Sequence, residues 1–180
     1  MNRQCFLCIL PALILMLPAC GSSGNGGSVK DYLPASGEIT GWAEDTEKGE
    51  VGPEETSDVA VATIWVNGAI DRFVATGGWV ALAQEYYKNA SDVEISLHIY
   101  EMTAAAKADE VYAAMEDYTG VTWTDTAFGG GESNGRFGIV FTYCYADATK
   151  GKYFLETTTK PTTAETEGKE FIKAVLLKLP

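Results

Sequence analysis

Between Val93 and Met102 apolar and polar residues alternate: Val93, Ile95, Leu97 and Ile99 against Glu94, Ser96, His98 and Tyr100. A period of two predicts a β-strand with one apolar and one polar face, and His98 falls on the polar face. Residues 79–88 read as a second strand, joined to the first through Asn89-Ala90-Ser91-Asp92. Upstream, Val61, Ile64, Trp65, Ala69, Phe73 and Val74 recur at three- and four-residue spacings, predicting one helix over 58–76. Ser57 is its expected N-cap and Gly77-Gly78 its stop. Asn67-Gly68 lies inside that span, where Gly costs about 1 kcal/mol relative to Ala. It implies either close approach of the helix to the sheet or a ligand contact at Asn67. A second helix is predicted over 104–118, capped by Thr103, with Ala108, Val111, Tyr112 and Met115 on its apolar stripe.

Further on, Val121–Ala127 is a candidate strand, and Gly129-Gly130-Gly131 with Gly135 reads as a mobile loop. Phe137 to Tyr145 alternate as one long strand, and Tyr153–Thr159 pairs back on it through a turn at Thr149-Lys150-Gly151. A last helix opens at Pro161–Thr163 and buries Phe171, Ile172, Val175, Leu176 and Leu179. Helix, hairpin, helix, strands and helix in that order predict an α+β domain. The expected form is an antiparallel sheet of about five to seven strands with about three helices packed on it.

The N-terminus has a different pattern. Arg3 precedes an apolar run from Cys5 to Pro18, and Leu17-Pro18-Ala19-Cys20 follows the order of a bacterial lipobox. The run falls short of the roughly 20 apolar residues of a spanning helix, so it reads as a signal peptide over 1–19. Cys20 is the expected lipidation site. Two or more acyl chains, at about 0.8 kcal/mol per buried methylene, anchor a protein stably. The Gly/Ser-rich residues 20–31 read as a flexible tether, and 32–180 as a single domain.

Charge narrows the partners. Removing residues 1–19 takes one basic residue and leaves 12 basic against 25 acidic ones, a formal net charge of −13. Such a surface repels phosphate, so no nucleic-acid partner is expected. Between Glu44 and Asp58 seven acidic residues face only Lys48, without the Asp-x-Asp-x-Asp-Gly spacing of a calcium loop. This segment reads as a solvated loop. The glycines of 129–135 carry no Gly-Lys-Ser/Thr, which removes a phosphate loop. With Cys5 and Cys8 in the signal and Cys20 acylated, Cys144 is left alone, a buried structural thiol. No metal site, cofactor or catalytic set emerges.

Leu33-Pro34 with Gly37-Glu38-Ile39 and Gly41-Trp42, the helix residues Trp65–Phe73, and Ile99-Tyr100-Glu101-Met102-Thr103 resemble an uncharacterised family of exported bacterial proteins. That family carries a Tyr-Ile-Asn-Gly-Gly-Ala-Glu-like first helix. The resemblance spans residues 33 to about 112, and it transfers no activity. Ala69, Ile70 and Asp71 depart from the pattern. If its Asn-Gly-acidic trio is a site, the resemblance implies Asn67 and Asp71, which on one helix would share a face at i and i+4.

The expectation is a bacterial envelope lipoprotein. Cys20 lipid would hold it to the membrane, on the periplasmic face or surface of the outer membrane. Its domain would bind a protein or small ligand without catalysis. Two alternatives compete with it. One is an envelope enzyme with a polar site around Asn67, Asp71 and His98. The other is an assembly factor with an exposed apolar patch of several hundred Å².

Overall fold

The alternation at 93–102 becomes the second of two long central strands. The computed structural model describes residues 27–48, 53–115 and 121–180, so the signal peptide, Cys20, most of the tether and Tyr118 lie outside the described residues. Eight strands form one antiparallel sheet: β1 (Trp42–Glu44), β2 (Glu54–Thr56), β3 (Trp79–Asn89), β4 (Glu94–Met102), β5 (Thr122–Asp125), β6 (Asn134–Val140), β7 (Tyr143–Lys150) and β8 (Tyr153–Lys160). Their order is β1-β3-β4-β8-β7-β6-β5, with β2 also on the outer side of β3. The helices are α1 (Val59–Trp65), α2 (Ile70–Ala75), α3 (Ala105–Ala114) and α4 (Glu165–Lys178). The expected α+β class is the observed one, with one strand more than the upper expectation and a fourth helix.

Strand alternation divides the core between the two faces of the sheet. On one face Ala83, Tyr87, Ile95, Leu97, Ala146 and Leu155 meet Phe171, Ile172, Val175 and Leu176 of α4. Gly168 admits α4 closely, since a Cβ there would sit 2.6 Å from Thr159 Oγ1. Lys150 Nζ donates to the carbonyls of Leu176 and Leu179 at 2.9 and 2.8 Å, serving the open C-terminal end of α4. Trp42 packs edge-on against Phe171 at 5.1 Å between ring centres. Val29 is also fully buried in this core, so the folded unit begins inside the span read as tether.

On the other face Leu82, Tyr100, Met102 and Phe154 pack against Ala62, Ile70, Phe73, Ala108 and Val111 of α1 to α3. Phe73 stacks flat on Tyr100, 3.8 Å between centres and 8° between planes. Phe154 meets both rings edge-on.

Several expectations are corrected. The helix over 58–76 is two helices, because Asn67 and Gly68 take left-handed backbone at φ 48° and 83°. A Cβ on Gly68 would meet nothing within 4 Å, so its backbone conformation, and not close packing, calls for glycine. The N-cap is Asp58, whose Oδ1 accepts from Ala60 N at 2.8 Å, in place of Ser57. Thr103 does not cap α3: Ala104 holds the cap position without a side-chain bond, and Thr103 N donates to Gly78 O at 2.7 Å. The acidic loop contains β2, which pairs with Leu82–Gln84. The long strand ending at Tyr145 is a hairpin. Phe141, 94% exposed, turns it at φ 52°, and β6 and β7 pair on either side.

Candidate functional site

The pairing registers bring one polar residue from each of seven strands into a single row. Asp125 is opposite Arg136, Arg136 opposite Asp147, and Asp147 opposite Glu156. Glu156 is opposite His98, His98 opposite Gln84, and Gln84 opposite Glu54. Directly opposed residues share a face. Each of Gln84, His98 and Glu156 lies two positions from Leu82, Tyr100 or Phe154, so the row follows the apolar floor under α1 to α3. It crosses the sheet from β2 to β5.

The row is largely dry. Gln84, Arg136 and Asp147 are 5%, 2% and 2% exposed. Arg136 Nε and Nη2 donate to Asp147 Oδ2 at 2.9 and 2.7 Å. Burial raises the Asp147 carboxyl, partly offset by Arg136. Burial also pushes Glu156 above the ordinary carboxylate range, and the neighbouring Asp147 charge adds to it. Tyr100 Oη approaches Glu156 Oε2 at 3.4 Å. Two carboxyls thus face each other with Arg136 bonded to Asp147, and burial together with the Asp147 charge favours the neutral form of Glu156. His98 is half-buried with Nε2 shut off from solvent and unpartnered, and burial lowers its pKa to about 4. It is neutral at physiological pH. Gln84 Nε2 donates to Glu54 at 2.6 Å, while its Oε1 is buried without a partner.

At the β5 end the row opens into clefts. The Arg136 guanidinium carbon lies 4.4 Å from the ring centres of both Tyr112 and Trp123, an attraction that strengthens when desolvated. Each ring has a cause for its position. Trp123 stands opposite Gly138, where a Cβ would meet Val121 Cγ1 at 2.3 Å and Trp123 Cε3 at 3.2 Å; the missing side chain gives the indole its place over β6. Tyr112 follows Asp109 by one helical turn. Asp109 Oδ1 accepts from Asn134 Nδ2 at 2.7 Å and Thr149 Oγ1 at 3.0 Å, which fixes α3 to β6 and β7.

A cleft of about 220 Å³ is lined by Tyr112, Trp123, Asp125 and Arg136. A second, of about 400 Å³, shares Tyr112 and Asp125 and continues along Thr126, Glu132, Ser133, Asn134 and Gly135. Glu132, in its wall, holds the adjoining triple-glycine loop in place. The Glu132 carboxylate accepts from the N–H groups of Phe128, Gly129 and Gly130. Burial alone would raise Glu132, but these donors outweigh it and hold the carboxyl below its usual range. Gly130 packs so tightly on α4 that a Cβ would sit 2.3 Å from Leu176 Cβ.

Of the residues singled out from sequence, Cys20 lies outside the described residues. Asn67 and Asp71 are exposed, and the break at Asn67-Gly68 removes their shared helical face. His98 sits in the row beside Glu156 and Gln84, and Asn67 and Asp71 have no place in that row. None of the clefts described above is lined by Asn67, Asp71 or His98. Arg136, Asp147, Glu156 and Trp123 were not singled out. For the first three the signal was one charged residue in each of three otherwise uncharged stretches, Gly135-Arg136-Phe137, Ala146-Asp147-Ala148 and Leu155-Glu156-Thr157. Among the described residues no group of three or more His, Cys, Asp or Glu could hold a metal ion, and no helix is long and apolar enough to cross a membrane. A scan against protein-family models finds no match, and a search of curated proteins finds none.

Proposed function

We propose that the protein is a lipoprotein of the bacterial envelope, anchored through Cys20, whose acidic domain binds a ligand without catalysis. Leu17-Pro18-Ala19-Cys20 and the Gly/Ser tract behind it support the anchor. The resemblance at residues 33–112 to exported proteins supports the location. The binding role is carried by one observation: a buried arginine, Arg136, forms part of the wall of an aromatic cleft instead of closing it. Small-ligand sites are concave and carry a few fixed polar groups; here Asp125 and the Arg136 guanidinium stand beside the Tyr112 and Trp123 rings.

The anchor is tested by fractionation after Cys20→Ser. The variant is expected in the soluble fraction or as unprocessed precursor; unchanged membrane association with normal processing would overturn it. Binding is tested by a thermal-shift screen of cationic, anionic, neutral polar and apolar small molecules against the mature chain. A stabilising compound whose effect is lost in Asp125→Ala supports the cleft, and the absence of any such compound counts against it.

A further inference from the structure

The donors and acceptors of this cleft select a ligand class. Arg136 spends Nε and Nη2 on Asp147, which neutralises its charge. Nη1 has no acceptor among the described residues, although the side chain is only 3% exposed. Across the β5–β6 ladder Asp125 stands directly opposite, exposed and without an ion pair among the described residues. Asn134 uses its Nδ2 on Asp109 and Thr149, leaving the amide oxygen as an acceptor, and Ser133 adds a hydroxyl to the same cleft.

Four ligand classes can be compared on this chemistry. An anion meets an arginine already neutralised, in a chain of net charge −12. A cation finds the Tyr112 and Trp123 rings already engaged by Arg136. An apolar molecule would strand Nη1 and Asp125 away from water. A ligand of adjacent hydroxyls fits, because each hydroxyl both donates and accepts. One accepts from Arg136 Nη1, its neighbour donates to Asp125, and further hydroxyls reach Asn134 Oδ1 and Ser133. The aromatic edges offer apolar contact to carbon-bound hydrogens. We infer that the cleft between Tyr112, Trp123, Asp125 and Arg136 binds a neutral saccharide, an inference that rests on the binding role proposed above.

The test is calorimetric titration of the mature chain in a detergent without a sugar headgroup. The probes are maltotriose, cellotriose, mannotriose and tri-N-acetylchitotriose, with glucuronate, spermidine and a neutral dipeptide as contrasts. At least one trisaccharide should bind saturably. Asp125→Ala should weaken it at least tenfold with unchanged thermal stability, since Asp125 is exposed. Asp125→Asn, which keeps one acceptor oxygen, should weaken it less. Binding of spermidine, glucuronate or the dipeptide alone, lost in Asp125→Ala, would overturn the saccharide class while leaving a ligand-binding cleft. Saccharide binding indifferent to Asp125→Ala would overturn the site. Binding of no probe would overturn the inference outright, while the anchor is judged separately by fractionation.

Discussion

Asp147 and Glu156 stand directly opposite each other on β7 and β8, and Arg136 donates through both Nε and Nη2 to Asp147. Burial and the Asp147 charge both favour the protonated form of Glu156. A carboxyl whose folded pKa lies above its unfolded value of 4.5 favours the fold below that value. That contribution is lost as pH rises through the folded pKa. Glu156→Gln imitates the protonated form. It should therefore change stability little at pH 4 and become progressively more stable than the parent as pH rises. The gain is bounded by about 1.4 kcal/mol per pH unit between the two pKa values. Urea unfolding at pH 4, 6 and 8 checks this, and a stability difference independent of pH would refute the raised Glu156 pKa.

His98 gives the complementary case. It is the chain's one histidine, so an untagged chain shows a single imidazole titration by NMR. Its folded pKa, lowered to about 4, keeps the ring neutral. The neutral ring favours the fold above the unfolded value of 6.5, and that contribution disappears as pH falls through about 4. His98→Gln should flatten the stability loss between pH 6.5 and 4. An imidazole titrating near 6.5 in the folded protein would contradict its dry position in the row.

The Arg136–Asp147 pair should show strong non-additivity. Arg136→Ala leaves the Asp147 carboxylate buried and unpaired, a cost of about 3–5 kcal/mol. Replacing both by apolar residues of similar volume, Arg136→Met with Asp147→Leu, should recover most of that loss. A double variant as unstable as the sum of the two single ones would show that the pair is not coupled.

Left-handed backbone at two positions predicts opposite responses. Gly68→Ala places a Cβ at φ 83° and should destabilise by about 1 kcal/mol, despite open space around it. Phe141 carries a large exposed ring at φ 52° in a two-residue hairpin turn, where Asn and Gly are favoured. Phe141→Asn should be neutral or stabilising by up to about 1 kcal/mol. Thermal unfolding of both variants decides the matter, and a destabilised Phe141→Asn would give the phenyl ring a packing role.

The contrast between what was readable and what was not follows from range. Val93–Met102 and Phe171–Leu179 declared their faces because a period of two or 3.6 is a local property. Gly68 and Phe141 misled because left-handed φ at one residue breaks a helix or a strand without disturbing the apolar pattern. For Phe141 no local signal exists, since Phe-Thr is an unusual turn pair. The polar row was out of reach for another reason. Arg136, Asp147, Glu156, His98 and Gln84 become neighbours only through four registers between strands, and β4 pairs with β8 across more than fifty residues of chain. Asn67 and Asp71 drew attention from a helix that is divided between them.

The outer margin of β3 has a consequence for behaviour in a crowd. β1 covers Tyr87–Asn89, β2 covers Leu82–Gln84, and Asp45 N takes the Tyr86 carbonyl in the interval. At the opposite margin β5 is only four residues long. An open strand edge invites pairing with another copy, and short or covered edges refuse it. The longest strand of this sheet is therefore closed to a neighbour, which guards the fold against self-templated aggregation where copies are packed side by side.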